Sequence, residues 1–255
     1  MQQKHLLLID GDISIYKVSA ATQRSISWDG EDTCIYGDID VAFENICQWF
    51  EDLKNKFNAD KYIVALSDGE YFRYNILPTY KGNRSDILPP VVRDELKSKL
   101  KELPEAKFKD GLEGDDILGI LATSKKLYKD YYKIVLSDDK DLKTIPCNLY
   151  NTRDKLREIT QEEADRFHLM QTLTGDITDG YRGCPGIGIA KAAKLLANIP
   201  YDETFISTAW ATIVEAYESK GLSEDDALVQ AQVARILRAE DYNFKTKSPI
   251  LWTPK

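Results

Sequence analysis

A chain of 255 residues, 43% hydrophobic and 30% charged, has the composition of a globular protein and can bury a sizeable core as one large domain or two unequal ones. No apolar run approaches the ~20 residues needed to span a bilayer, and the apolar stretch at residues 6–9 is too short for a signal-peptide core, so a cytoplasmic protein without a membrane partner is expected. The net charge of −8 speaks at first against nucleic acid, but residues 69–109 carry nine Lys and Arg against six Asp and Glu, so a local positive surface stands beside an acidic remainder.

Residues 5–9 form an apolar run ending in Asp10 and read as a buried strand. Helical spacing follows at 13–21, and 25–37, with Gly, Asp and Ser, reads as a loop or excursion. Val41, Ile46, Trp49, Phe50, Leu53 and Phe57 recur at helical intervals. Residues 61–67 are a second buried strand ending at Asp68. The stretch 69–112 starts irregular, with Pro78, Gly82, Pro89 and Pro90, and turns helical over 91–103. A helix over 114–127 places Ile117, Leu118, Leu121 and Leu127 on one side. Residues 133–137 are a third strand and 147–150 a fourth. From Thr160 onward the pattern is helical, up to a short strand at 250–252. Strands alternating with helices predict an α/β fold, a parallel central sheet flanked by helices. The alternation stops near 155–185, which suggests an α/β domain at 1–155 and a helical region at 156–255.

An acid repeatedly follows an apolar strand. Asp10 ends LLLID, Asp68 ends VALSD, and Asp138, Asp139 and Asp141 follow in LSDDKD. Strand carboxyl ends form the ligand crevice of parallel α/β sheets. Glu113, Asp115 and Asp116 open a helix in GLEGDDILG, and Asp176 and Asp179 lie in GDITDG. So many carboxylates repel one another unless cations join them. With oxygen donors, the suitable ions are Mg²⁺ or Mn²⁺, and two roughly 4 Å apart could activate a water and stabilise the leaving oxygen of a phosphodiester. Helix capping by Asp115 or Asp116 and turn formation by Asp68 or Asp138 are the plainer readings of each acid taken singly. Cys34, Cys47, Cys147 and Cys184 form no CxxC pair, and the histidines are His5 and His168, so zinc is not expected.

In RGCPGIGIAKAAKLL, Gly183, Pro185, Gly186 and Gly188 make a tight turn into a helix bearing Lys191 and Lys194. Free N–H groups at such a helix start bind phosphate and hold a duplex backbone without reading sequence. The plainer reading is a helix–turn–helix corner. In YFRYNILPTYKGNR, Arg73, Lys81 and Arg84 surround Tyr71, Phe72, Tyr74 and Tyr80. Charge for phosphates and rings for bases suit single-stranded nucleic acid, although a solvated loop with buried tyrosines has the same pattern.

Taken in order, DGD at 10–12, SDGEYFR at 67–73, YKGNR at 80–84, EGDD at 113–116, SDDKDLKTIP at 137–146, GDITDGYRG at 175–183, PGIG at 185–188 and ARILRAEDYNF at 234–244 resemble the 5′-nuclease superfamily. That superfamily includes flap endonucleases and the 5′-nuclease domain of DNA polymerase I, and the likeness is strongest to the 5′→3′ exonucleases of podovirus-type phages. The resemblance implies a PIN-like or resolvase-like domain with a helical arch near 70–105, and a helix–hairpin–helix at 182–196. It implies one metal held by Asp10, Asp68, Glu113 and Asp115, and a second by Asp115, Asp139, Asp141 and Asp176. Asp116 and Asp179 would support metal-bound waters. Lys81 and Arg84 would act on the scissile phosphate, and Arg73, Tyr80, Gly183, Gly186, Gly188, Lys191 and Lys194 would contact DNA. PGIG would also bind K⁺. Many relatives have glycine at the position of Asp138, and no role is assigned to it.

The expected activity is cleavage of DNA near 5′ ends or 5′ flaps, with a single-stranded 5′ arm, to 5′-phosphorylated products. The RNA of RNA–DNA hybrids is a further substrate to test. A monomer in host-cell cytoplasm is expected. Two other readings compete: a PIN-type ribonuclease, disfavoured by the helical region with PGIG, and a non-enzymatic structure-specific DNA-binding protein, disfavoured because all nine matched acids are present.

Overall fold

A computed structural model describes residues 3–27, 30, 33–84, 88–153 and 155–254, the side chains of Thr33 and Arg84 excepted. Strand β1 (Lys4–Asp10) leads into helix α1 (Gly11–Thr22), then a hairpin of β2 (Arg24–Ser27) and β3 (Thr33–Tyr36) and helix α2 (Ile39–Lys56). Next come β4 (Lys61–Asp68), α3 (Arg73–Ile76), α4 (Arg93–Lys101), β5 (Ala106–Asp110), α5 (Gly114–Thr123) and β6 (Tyr131–Leu136). Strands β7 (Cys147–Asn151) and β8 (Lys155–Ile159) finish the sheet. Helices α6 (Gln161–Thr174), α7 (Ile189–Ala197), α8 (Phe205–Glu218) and α9 (Glu224–Ala234) follow, then the short pair β9 (Tyr242–Asn243) and β10 (Ser248–Pro249).

The six-stranded sheet has the order β5-β4-β1-β6-β7-β8. Strands β5 to β7 run parallel and β8 runs antiparallel to β7. Strands buried on both faces need apolar side chains at every position, and residues 6–9 of β1 are fully buried. One face packs Leu6, Leu8, Ile63, Ala65 and Val135 against Ile117, Leu118 and Leu121 of α5. The other packs Leu7, Ile9, Val64, Leu66 and Ile134 against Ile46 and Phe50 of α2 and Leu96 and Leu100 of α4. A separate apolar cluster joins α6, α7, α8 and α9 around Phe205, Ile213 and Tyr217.

Several boundaries differ from expectation. The segment 25–37 holds an antiparallel hairpin, although Trp28, Asp29, Glu31 and Asp32 lie outside the described residues. β5 and β8 were not expected, because edge strands carry polar side chains and lack the apolar run of a central strand. β8 also moves the end of the sheet to Ile159, past the expected boundary at 155. The fifth helix stops at Thr123 because Ser124 Oγ accepts from the Lys126 and Leu127 N–H groups and turns the chain. The expected strand at 250–252 is replaced by the pair at 242–243 and 248–249.

Candidate active site

Alternate side chains of a strand face opposite ways. Along β1, Leu6 and Leu8 face α5, and Leu7 and Ile9 face α2, so Asp10 emerges on the α5 side. Asp10 is in register with Ala65, and Ile9 with Leu136. The residues that follow on the Asp10 face are therefore Ser67 and Ser137, while Asp68 and Asp138 follow the opposite one. Ser137 Oγ donates to Asp10 Oδ2 at 2.6 Å, and Ile13 N–H donates to Oδ1 at 3.0 Å, capping α1.

The cleft at these strand ends measures about 640 Å³. Asp10, Asp12, Glu113, Asp115, Asp139, Asp141 and Asp179 line it, together with Tyr71, Tyr74, Lys81, Arg93 and Lys97. The start of α5 brings Asp115 and the N-cap Glu113. After β6, Asp139 caps a 3-10 turn at Lys140–Thr144 by accepting from Asp141 N–H at 2.8 Å. Gln171 of α6 donates to Asp141 at 2.6 Å. Lys140 bridges Asp141 and Asp176, and the Thr178 N–H group donates to Asp176 at 2.8 Å. Among the described residues no three of these acids meet at coordinating distance; ammonium groups stand against them instead. Lys81 contacts Glu113 and lies 3.9 Å from Asp179, Lys97 lies 2.8 Å from Asp12, and Lys101 contacts Asp68.

The acids are electrostatically divided. Burial, aided by Asp12 and Asp139, lifts Asp10 to about 7. Burial and the charges of Asp10, Asp139 and Glu113 hold Asp115 well above the usual carboxylate range. Burial and Asp139 bring Asp141 to about 6. Burial also works against the charge on Glu113, but Arg73 and Lys81 outweigh it and hold that carboxyl below its ordinary value. Asp10 and Asp115 thus form a centre short of positive charge, made of hard oxygen donors, which suits a divalent cation.

The folded metal-free protein therefore keeps protons on Asp10, Asp115 and Asp141 that the unfolded chain releases near pH 4. The stability this gives is complete below pH ~4 and is lost as pH rises through about 6 for Asp141 and about 7 for Asp10. His168 works in the opposite sense. Burial lowers it to about 3, so it offsets part of the loss below its unfolded value of ~6.5 and none above it. Thermal melts in a chelator should therefore show a melting temperature several degrees lower at pH 8 than at pH 6.5. A flat or rising melting temperature over that interval would contradict the assignment.

Five residues read as site or DNA contacts lie elsewhere. Asp68 points to the α4 side and pairs with Lys101. Asp116 is fully buried, closes the capping box of α5 through Glu113 N–H, and takes both Arg73 Nη groups. Arg73 is 2% exposed, and all its N–H groups are spent internally, so it cannot reach DNA. Tyr80 is 3% exposed, with its hydroxyl donating to Glu113 at 3.0 Å and Asp179 at 3.2 Å. Gly183 is also internal: its N–H donates to Gln230, and at φ +63° a Cβ would meet Gly175 N at 2.3 Å. Gly186, Gly188, Lys191 and Lys194 are exposed at the turn into α7, where a phosphate backbone can reach them. The side chain of Arg84 lies outside the described residues, as do residues 85–87 of the expected arch.

Asp12 and Lys97, which the sequence does not single out, also line the cleft. Asp138, unassigned from sequence, accepts from Thr152 N–H at 2.7 Å and pairs with Lys17.

Comparison with known proteins shows the family and the fold. Residues 5–168 match the N-terminal resolvase-like domain of the 5′-3′ exonuclease family. The chain is 31% identical to the exonuclease of Escherichia phage T7 over 98% of its own length and 94% of that protein. It is also 31% identical to the exodeoxyribonuclease of Enterobacteria phage T3, over 99% and 94% of the two chains. In fold it is similar to a bacteriophage T5 flap endonuclease solved with DNA and metal ions, with a TM-score of 0.64 at 17% identity over 91% of this chain and 89% of that one. The chain belongs to the 5′-3′ exonuclease family.

Proposed function

We propose that this protein hydrolyses DNA phosphodiesters from 5′ ends or 5′ flaps, with two divalent cations, Mg²⁺ or Mn²⁺, held among Asp10, Glu113, Asp115, Asp139, Asp141 and Asp176. The observation that carries this reading is the meeting of strand-end acids from β1 and β6 with the acidic start of α5 in one cleft. The phage relatives named exonuclease and the flap endonuclease solved with DNA and metal ions support it. The bound cations would supply Lewis acidity at the scissile phosphate and acidify the attacking water.

The chain's own residues do the rest. Lys81 reaches the acids and can turn its ammonium to a phosphate oxygen, stabilising charge that grows there. Its backbone is set by the GDITDG loop, since Lys81 N–H donates to Asp179 O at 2.8 Å. Gly180, at φ +77°, permits that approach, because a Cβ there would lie 2.9 Å from Thr79 O. Tyr71 and Tyr74 stack with ring centres 5.6 Å apart and line the cleft, offering a platform to an unpaired base. The exposed turn at 185–188 with Lys191 and Lys194 would hold the duplex backbone, and that turn would also bind K⁺. The sheet region through Ile159 would carry the chemistry and the helical region the duplex, in a monomer acting in host-cell cytoplasm.

Incubating 5′-labelled flapped duplex with protein and Mg²⁺ tests the function. Short 5′-phosphorylated products that vanish in chelator are expected. Intact substrate in Mg²⁺, with retained binding, would leave only a DNA-binding role. RNA cut faster than DNA would favour a PIN-type ribonuclease, and a hybrid substrate measures the RNA activity. Lys81→Ala should slow single-turnover cleavage by about 100-fold while DNA affinity changes less than fivefold; a rate within threefold of wild type would remove Lys81 from the chemistry.

A further inference from the structure

We propose that a second cavity, on the α2 face of the sheet, binds a nucleoside 5′-monophosphate, with the base inside and the phosphate at the rim. The inference rests on the nuclease reading only for its ligand, the class of product that such a reaction releases. The strand order gives the place. The sheet strands that follow β1 are β4 and β5 on one side of it, then β6 on the other. Where strand order reverses in this way, the carboxyl ends leave a crevice in which parallel α/β sheets take ligands. On the α2 face of that crevice, a cavity of about 200 Å³ lies among β1, β6, α1 and α2. Its walls are apolar, from Ile9, Ile13, Leu53, Leu136 and the ring of Trp49. The volume is below the ~300 Å³ of sites that enclose a whole drug-sized ligand, so it takes a planar base and leaves sugar and phosphate outside.

The rim carries the polar groups. Lys56 Nζ donates to the Tyr150 hydroxyl at 2.6 Å and lies 4.6 Å from the centre of that ring. Among the described residues no carboxylate pairs with Lys56. The Tyr150 hydroxyl, which accepts from Lys56, keeps its own proton to donate. Lys17 pairs with Asp138, whose other oxygen accepts from Thr152 N–H and Oγ–H at 2.7 and 2.8 Å. Asp138 thus anchors Lys17 at the mouth and neutralises one of the two ammonium groups there. The remaining positive charge and the tyrosine donor match a terminal phosphate. The cavity shares Asp10, Ile13 and Lys17 with the cleft. A nucleotide in it therefore bears on the strand end that carries Asp10, and accumulating product slows cleavage.

Calorimetric titration of the full chain with dAMP in chelator, which keeps divalent cations out of the cleft, tests the site without relying on cleavage. Saturable binding at one site is expected. Lys56→Met should weaken dAMP about fivefold or more and leave deoxyadenosine within twofold of wild type, a split that misfolding does not produce. Lys81→Ala, in the cleft, should leave both ligands unchanged. In Mg²⁺, millimolar dAMP should slow cleavage by the wild-type protein, and Lys56→Met should relieve that inhibition. No saturable dAMP binding by the wild type, inorganic phosphate binding as tightly as dAMP, or loss of dAMP in Lys81→Ala in place of Lys56→Met overturns the assignment. A protein that holds dAMP through Lys56 but leaves DNA uncut supports the cavity and overturns the nuclease reading alone.

Discussion

Asp115→Asn should lower single-turnover DNA cleavage by about 1,000-fold or more and, in the absence of metal, raise the melting temperature. Both effects have one cause. Asp115 lies at the start of α5, and its charge is opposed by burial and by Asp10, Asp139 and Glu113. It therefore stands electrostatically between the acid of β1, the acids after β6 and the helix cap. Removing its charge removes the donor best placed to act toward two cations at once, and ~1,000-fold in rate is about 4 kcal/mol of barrier. The same substitution relieves repulsion among buried acids, so the metal-free fold gains stability, the trade-off expected where a site is kept strained for its chemistry. A variant that cleaves within tenfold of wild type in Mg²⁺ would show that Asp115 is not at the chemical centre. An unchanged or lower metal-free melting temperature at pH 8 would show that the acid cluster is not strained.

Much of the site is legible in sequence because its logic is local. An acid after an apolar run marks a strand end, and Asp10, Asp139 and Asp141 follow from that alone. Glu113 and Asp115 follow from the glycine and acids opening a helix, and the same local reading allows Asp116 to be a cap, which it is. Legibility stops where a side chain's destination depends on a partner far along the chain. Asp68 and Ser67 are neighbours in sequence, and the pairing of Asp10 with Ala65 decides which enters the cleft. Tyr80 sits among basic residues as a nucleic-acid contact would, yet it turns inward because Glu113 and Asp179 accept from its hydroxyl. In the segment 234–241 Arg235 and Arg238 are buried, and their destinations depend on partners elsewhere in the chain. They are held by Asp241 at 2.8 Å and by Asp165 at 2.7 Å, acids that lie 6 residues on and on another helix. A charged residue inside an apolar run such as ARILR is the available signal, since burial of arginine requires a partner.

Arg73→Met should cost about 3–5 kcal/mol of stability, and with it most of the activity. The guanidinium has five N–H donors, and each is used. Nε donates to Val233 O at 3.0 Å, Nη1 to Glu113 and Asp116 at 2.7 Å each, and Nη2 to Asp116 at 2.8 Å and Arg235 O at 2.6 Å. Removing it strands Asp116, which is fully buried and keeps the Glu113 and Leu237 N–H groups as donors. An uncompensated buried carboxylate is the costly outcome, and in a chain this long the loss corresponds to a melting temperature lower by roughly 10–15 °C. Lysine should not rescue it, since one ammonium with three donors cannot span acceptors set around a planar fork. The substitution also reaches the chemistry, because Arg73 fixes Glu113 Oε2 while Oε1 faces Lys81. Arg73→Met combined with Asp116→Leu separates the two consequences. With the stranded charge gone, more than half of the lost stability should return, whereas cleavage should stay low because Glu113 has lost its anchor. Recovery of both would make Arg73 a structural residue alone, and a melting temperature within 3 °C of wild type in the single variant would refute its place as the tie between the helix start and the segment at 233–235.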